Sequence, residues 1–184
     1  KGMRKAIAEH MHRSLSISAQ LTVMGEIDMT EVVKLRKSLV DQAKVFATRI
    51  TYTDIFVFVI AKLLRDHPII NSSLIDNEIK LWENINIGVA VALEEGLIVP
   101  VVKDADKKSL MEISQTVRTL AEKAREGKLV PSDVTGGTFT ITNLGAIVGG
   151  YIFAPAIINQ PESAILGIGG ITERAVVREG QIVV

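Results

Sequence analysis

Hydrophobic and polar positions recur at two periods along this chain, and the changes of period divide it into elements. In residues 3–15, Met3, Ile7, Met11 and Leu15 sit four apart and predict a short amphipathic helix. Arg4, Lys5, His12 and Arg13 lie elsewhere on its surface. Residues 20–27 read as a strand. Asp28 and Glu31 then have the spacing of a capping box, and Val32, Leu35, Leu39, Ala43 and Phe46 keep helical spacing behind them. Thr51 and Asp54 start a third helix in the same way. Its body, residues 54–66, is apolar almost all round, the pattern of a helix buried on most sides in a core or against a partner. His67-Pro68 ends it, because the residue before proline is pushed out of the helical region.

From residue 70 to 102 the pattern is that of strands. Residues 73–75 and 79–81 flank Asp76-Asn77, a hairpin turn. Residues 85–93 and 97–102 are joined at Glu94-Glu95-Gly96. Pro100 has no N–H to donate, which puts the second strand at an edge or interrupts it. Ser109 and Glu112 form another capping box, with Leu110, Ile113, Val117, Leu120 and Ala124 on one helix face and an end before Gly127. Residues 136–150, GGTFTITNLGAIVGG, hold a strand between two glycine pairs. Alternation puts Phe139 and Ile141 on one face and Thr138, Thr140 and Thr142 on the other, as in a half-exposed strand with a turn after it. Residues 151–159 read as extended, Gln160-Pro161-Glu162 as a turn and residues 163–171 as a buried strand with glycines. Residues 175–177 and 181–184 make a last hairpin. Helices and antiparallel-looking strands in mixed order, without strict βαβ alternation, predict an α+β layered domain.

Composition narrows the function classes. A chain of 184 residues is one domain by default, with a core that needs no staple. The absence of cysteine excludes disulfides, thiol catalysis and cysteine-ligated metals. Lys plus Arg equals Asp plus Glu at 21 each, so nothing suggests a nucleic-acid surface. With 47% hydrophobic residues and no net charge, the chain is expected to bury apolar surface between subunits. No apolar run reaches the ~20 residues of a membrane span. No signal peptide precedes Lys1, so the chain reads as cytoplasmic, and it starts inside a helical pattern as an excised piece would.

The short motifs carry little chemistry. His10 and His12 are two apart, on different helix faces, and cannot chelate together. GIGGIT at 167–172 is followed by a strand instead of a helix, so it is not a nucleotide loop. Asp66, His67 and Asn71 have the residue types of an acid/base unit. They sit at a helix terminus, where histidine suits the negative end of the dipole, and are read that way. The hydroxyl face of residues 138–142, ending in Asn143-Leu144-Gly145, can present polar groups at the mouth of a groove, and the glycines let another backbone or a ligand come close.

Longer stretches point further. They are RKAIAEHMHRS at 4–14, GEIDMTEVVKLRK at 25–37, NINIGVAVALEEGLIVPVVKDADKKSL at 84–110, GGTFTITNLGAIVGGYIFAPAIINQPESAILGIGGI at 136–171, and the final hairpin. Together they resemble the catalytic domain of the dihydrolipoamide acyltransferases, core components of 2-oxoacid dehydrogenase complexes, over essentially all 184 residues. The resemblance implies a chloramphenicol-acetyltransferase-like two-layer sandwich, a mixed sheet covered by helices. It implies homotrimers with active sites at subunit interfaces, assembled into a hollow core. Its partners would be the dehydrogenase and dihydrolipoamide dehydrogenase components. It implies acyl transfer between coenzyme A and a lipoyl-lysine carried on a separate domain.

Such transfer needs a base for the attacking thiol and a donor for the oxyanion. The family's hydroxyl donor, just before Asn-Leu-Gly, matches Thr142, and Asn143 matches a coenzyme A contact. Gly169 matches a position where backbone meets the cofactor, and Arg4 and Ser14 lie in the N-terminal segment near the pocket. The family's base is a histidine in a DHR-x-x-DG motif that does not occur in these residues, so the resemblance implies a missing C-terminal segment. Many members have Asp where Ala92 stands. Two rival readings are a catalytically incomplete assembly core and a chloramphenicol-acetyltransferase-type enzyme acting on a free small molecule. The long match at 136–171 argues against the latter.

Overall fold

Local capping decides where the covering helices begin. The structure, a computed structural model, describes residues 2–41, 49–94, 96–145 and 154–183. Helix α1 spans Met3–Ile17, α2 Thr30–Asp41 and α3 Tyr52–Asp66. A 3-10 turn at Ala105–Lys107 precedes α4, Leu110–Arg125, and the single turn α5 is Pro131–Val134. At α3 the Thr51 hydroxyl accepts from the Asp54 N–H at 3.2 Å, while the Asp54 carboxylate takes the Thr51 N–H at 2.7 Å. Ser109 and Glu112 make the same exchange at α4, at 3.3 and 2.8 Å. Each box satisfies N–H groups that a helix start leaves without internal partners.

The box expected at Asp28 is only half formed. Asp28 accepts from the Thr30 N–H at 2.9 Å, but α2 begins at Thr30 and Glu31 turns to Lys34 at 2.8 Å. Ala43 and Phe46 of the expected stripe lie outside the described residues, as do residues 146–153 and Val184.

Among the described residues there are ten strands, numbered in chain order. They are β1 Ser72–Ile75, β2 Glu78–Leu81, β3 Ile87–Val89, β4 Val91–Leu93 and β5 Gly96–Ile98, then β6 Val101–Val102, β7 Phe139–Asn143, β8 Ile165–Ile168, β9 Val176–Arg178 and β10 Gln181–Val183. Four of them form a mixed sheet in the order β6-β3-β7-β8. The sheet is mixed, as the resemblance implies: β3, β7 and β8 run parallel and β6 opposes β3, while the pairs β1–β2, β4–β5 and β9–β10 are antiparallel as the pattern suggests. Residues 85–93 and 97–102 each divide in two. Past Ala90 and before Val99 the chain leaves the sheet to form the β4–β5 hairpin. Pro100 marks the second break as expected, and its carbonyl accepts from the Val89 N–H at 2.8 Å. The β1–β2 hairpin turns on Asp76 and Asn77, both with positive φ, as the sequence predicts.

The core lies between the sheet and the α3–α4 pair. Val57, Ala61, Ile113, Ile87, Phe139 and Ile141 meet there, all buried. Apart from Ala61, each such side chain contributes about 1.5–3 kcal/mol by leaving water. Asp54 joins the two helices as well as capping one, because its carboxylate also accepts from the Ser114 hydroxyl at 2.9 Å.

Three expectations change. Residues 20–27 are not a strand: no strand among the described residues pairs with them, and Leu21 and Val23 are 87% and 86% exposed. Helix α1 buries only Ser14 fully, so its Met3-to-Leu15 stripe is not what packs it down. The threonine face of β7 is buried instead of half exposed, because β7 is an inner strand and residues 154–162 lie over that face.

Replacing Asp54 by Ala removes the cap and leaves the buried Ser114 hydroxyl unpartnered. A loss of about 2–3 kcal/mol in chemical denaturation is expected. Exposed Glu78→Ala should change stability by less than about 0.5 kcal/mol, and equal effects would rule out the staple.

Candidate active site

The parallel strands β7 and β8 end side by side. Thr142 is in register with Gly167 and Asn143 with Ile168. The N–H groups of Leu144 and Gly145 both donate to the Ile168 carbonyl, at 2.9 and 3.2 Å. That pair draws the turn after β7 against the backbone after β8. A Cβ at Gly145 would stand 2.5 Å from the Gly169 carbonyl oxygen and 2.7 Å from the Gly170 Cα. Only glycine allows this approach. Thr142, Asn143 and Gly169, singled out from the sequence, are therefore brought together at the carboxyl ends of two parallel strands.

The two polar side chains point to opposite faces, as strand alternation requires. The Asn143 amide donates to the Thr53 hydroxyl at 2.9 Å, in the first turn of α3. Thr142 stands on the other face, buried, with Gly167 beside it adding no side chain. No hydrogen bond among the described residues engages its hydroxyl, so that hydroxyl remains available to a ligand.

Behind Thr142 on the same face lies a partly buried polar chain. Asn159 donates to Glu162 Oε1 at 3.1 Å, and its Nδ2 lies 3.5 Å from the Thr140 hydroxyl. From α1, His10 Nε2 bonds the side-chain amide oxygen of Asn159, Oδ1, at 2.9 Å. Burial pushes the Glu162 carboxyl up to about 7, against the opposing hydrogen bonds of Thr140 and Asn159. Ser14 belongs to this docking as well: its hydroxyl donates to the Ile158 carbonyl at 2.6 Å and accepts from Gln20 at 3.0 Å. Arg4 stands in the exposed first turns of α1, where Met3 and Ile7 lie against Gly96. None of the described contacts joins Arg4 to Thr142, Asn143 or Gly169.

His67 is exposed and caps α3, its N–H on the Leu63 carbonyl at 3.1 Å. Asn71 is buried and spends its amide on the Trp82 and Asn84 carbonyls. The helix-terminus reading of that segment thus matches the geometry. Sequence reasoning missed Thr53, His10, Asn159 and Glu162 as neighbours of the site. The one signal was a polar Asn-Gln-Pro-Glu run between apolar stretches, which reads equally well as a surface turn.

These strand-end hydroxyl and amide groups stand on a mixed, helix-backed sheet of an α+β fold. A model of the 2-oxoacid dehydrogenases acyltransferase (catalytic domain) family matches residues 1–184, and the chain belongs to that family. It is 45% identical over 184 residues to the dihydrolipoyllysine-residue acetyltransferase component of the Bacillus subtilis pyruvate dehydrogenase complex, covering 99% of this chain and 41% of that protein. To the succinyltransferase component of the Haemophilus influenzae 2-oxoglutarate dehydrogenase complex it is 37% identical, covering 99% of this chain and 44% of the relative. The chain thus spans less than half the length of these relatives. Among solved structures, a probable dihydrolipoamide acetyltransferase from Listeria monocytogenes superposes with a TM-score of 0.94 at 38% identity, over 100% of this chain and 78% of that one. The cubic core of a pyruvate dehydrogenase multienzyme complex does so with 0.92 at 34%, over 98% and 74%.

Gly145→Ala sets a methyl group against main chain, which cannot rotate away. The expected result is a loss of about 1–3 kcal/mol in stability together with a fall in turnover. A variant with wild-type stability and rate would show that the two strand ends need not touch.

Proposed function

We propose that this chain is the acyl-transferring core of a 2-oxoacid dehydrogenase complex, moving an acyl group between dihydrolipoamide and coenzyme A. The observation that carries the reading is the Thr142 hydroxyl, without a partner among the described residues and held beside Asn143 and Gly169, in a chain whose residues 1–184 match the family. The attacking thiol gives up its proton and its sulfur forms a bond to the thioester carbonyl carbon. The carbonyl oxygen becomes an oxyanion, and the Thr142 hydroxyl donates a hydrogen bond to it. Collapse breaks the original C–S bond, and the leaving thiolate takes up a proton. Nothing is oxidised or reduced.

Within these residues His10 is committed to Asn159, His12 is exposed and His67 caps a helix. None has a described hydrogen bond to Thr142, and the reading takes its base from the DHR-x-x-DG motif that the resemblance implies. The acyl group is acetyl in some relatives and succinyl in others. The same chain would build the scaffold, as homotrimers joined into a hollow core with the dehydrogenase components around it. Exposed Leu21, Val23, Ile27, Val59 and Leu63 supply apolar surface for such contacts, and a cubic core is among the structures that superpose on the chain.

In the full-length protein, Thr142→Ala should lower kcat for acetyl or succinyl transfer by about 100-fold or more and leave the KM for coenzyme A nearly unchanged. Thr142→Ser should restore most of the rate. An unchanged kcat in the alanine variant would exclude the oxyanion role.

A further inference from the structure

Glu162 is a buried carboxyl group that forms no ion pair among the described residues. Its residue is 3% exposed, and Oε2 has no hydrogen-bond partner among the described residues. Its other contacts are neutral: the Asn159 amide, the Thr140 hydroxyl, and the bare backbone of Gly137, where a Cβ would stand 3.0 Å from Oε1. The ionisable groups on neighbouring elements are engaged elsewhere. His10, on α1, bonds the far end of the Asn159 amide. Lys103, after β6, reaches the Thr135 carbonyl beside Gly136. Glu162 thereby links three pieces of chain: β7 through Thr140, the 154–162 segment through Asn159, and α1 through Asn159 and His10. Thr140 precedes Thr142 by two residues on the same face of β7, a step of about 6.6 Å.

We propose that Glu162 is a positioning residue for Thr142. As a neutral carboxyl group it locks α1 and the 154–162 segment onto the polar face of β7, and the lock loosens when it ionises. A neutral carboxyl can be buried at modest cost once hydrogen-bonded, whereas a carboxylate in the same place meets no compensating charge among the described residues. Burial has already raised this group from its ordinary 4.5 to about 7. A group raised in the folded state contributes its full stabilisation below the unfolded value. The contribution is lost as pH climbs through the folded value. The lock is therefore strongest below pH about 4.5, weakens up to about 7 and is level above that.

The test compares wild type with Glu162→Gln and Glu162→Ala in the full chain, by hydrogen exchange of α1 and of the Thr140 and Thr142 amides between about pH 5 and 8. It does not depend on the acyl-transfer reading, since no substrate is used. Opening of the wild type relative to the glutamine variant should grow on the order of a hundredfold across that range. Glutamine keeps the shape and both kinds of hydrogen bond without the charge, so its protection should exceed that of wild type at the alkaline end. The alanine variant should open more than the glutamine variant throughout. Parallel pH profiles in wild type and Glu162→Gln, or a glutamine variant less protected at every pH, would overturn the proposal.

Discussion

An inner strand walled on both edges and both faces has nowhere to leave a polar atom unpartnered except at its end. β7 is such a strand: β3 and β8 take its edges, the α3–α4 core takes one face, and residues 154–162 take the other. The hydroxyls of Thr138 and Thr140 are consumed inside, on Asn86 and on the Asn159–Glu162 pair. An unmet buried hydroxyl costs about 1–3 kcal/mol, so the fold can tolerate few of them. The one hydroxyl of that face left without a described partner is Thr142, at the strand end where a ligand can reach it. The candidate site is the place where the satisfaction of β7 stops.

That arrangement was only partly legible in the sequence, and the division follows sequence distance. The capping boxes at Thr51 and Ser109, the Asp76-Asn77 turn and the Pro100 break depend on residues within four positions of one another. Their chemistry is local, and they appear where expected. The parallel pairing of β3 with β7 joins residues about fifty positions apart, and no periodicity records it. The burial of the threonine face fails for the same reason: alternation says which residues share a face, not what covers it. Thr142, Asn143 and Gly169 were reached through the family's long motif, whereas His10, Asn159 and Glu162 were not. Those three are polar residues whose meaning depends on neighbours up to 149 positions away.

Residues 20–27 pair with no strand among the described residues. Their apolar side chains alternate as in a strand, yet stand in water. Two exposed ion pairs, Glu26 with Arg174 and Asp28 with Arg178, tie the segment to the terminal hairpin. Such pairs contribute about 0–1 kcal/mol each, less than burying one leucine. Electrostatics can orient this segment but cannot account for its apolar composition.

The contact between Gly145 and the backbone of Gly169 and Gly170 bears on how this lineage can vary. Most crowded positions in a core can be rescued, because a larger residue at one is offset by a smaller one opposite. Here the obstacle is main chain, already as slender as a polypeptide can be. No second substitution can create the space, so descendants have no neutral detour through this position. They must keep the glycine or change the spacing between two strands at once.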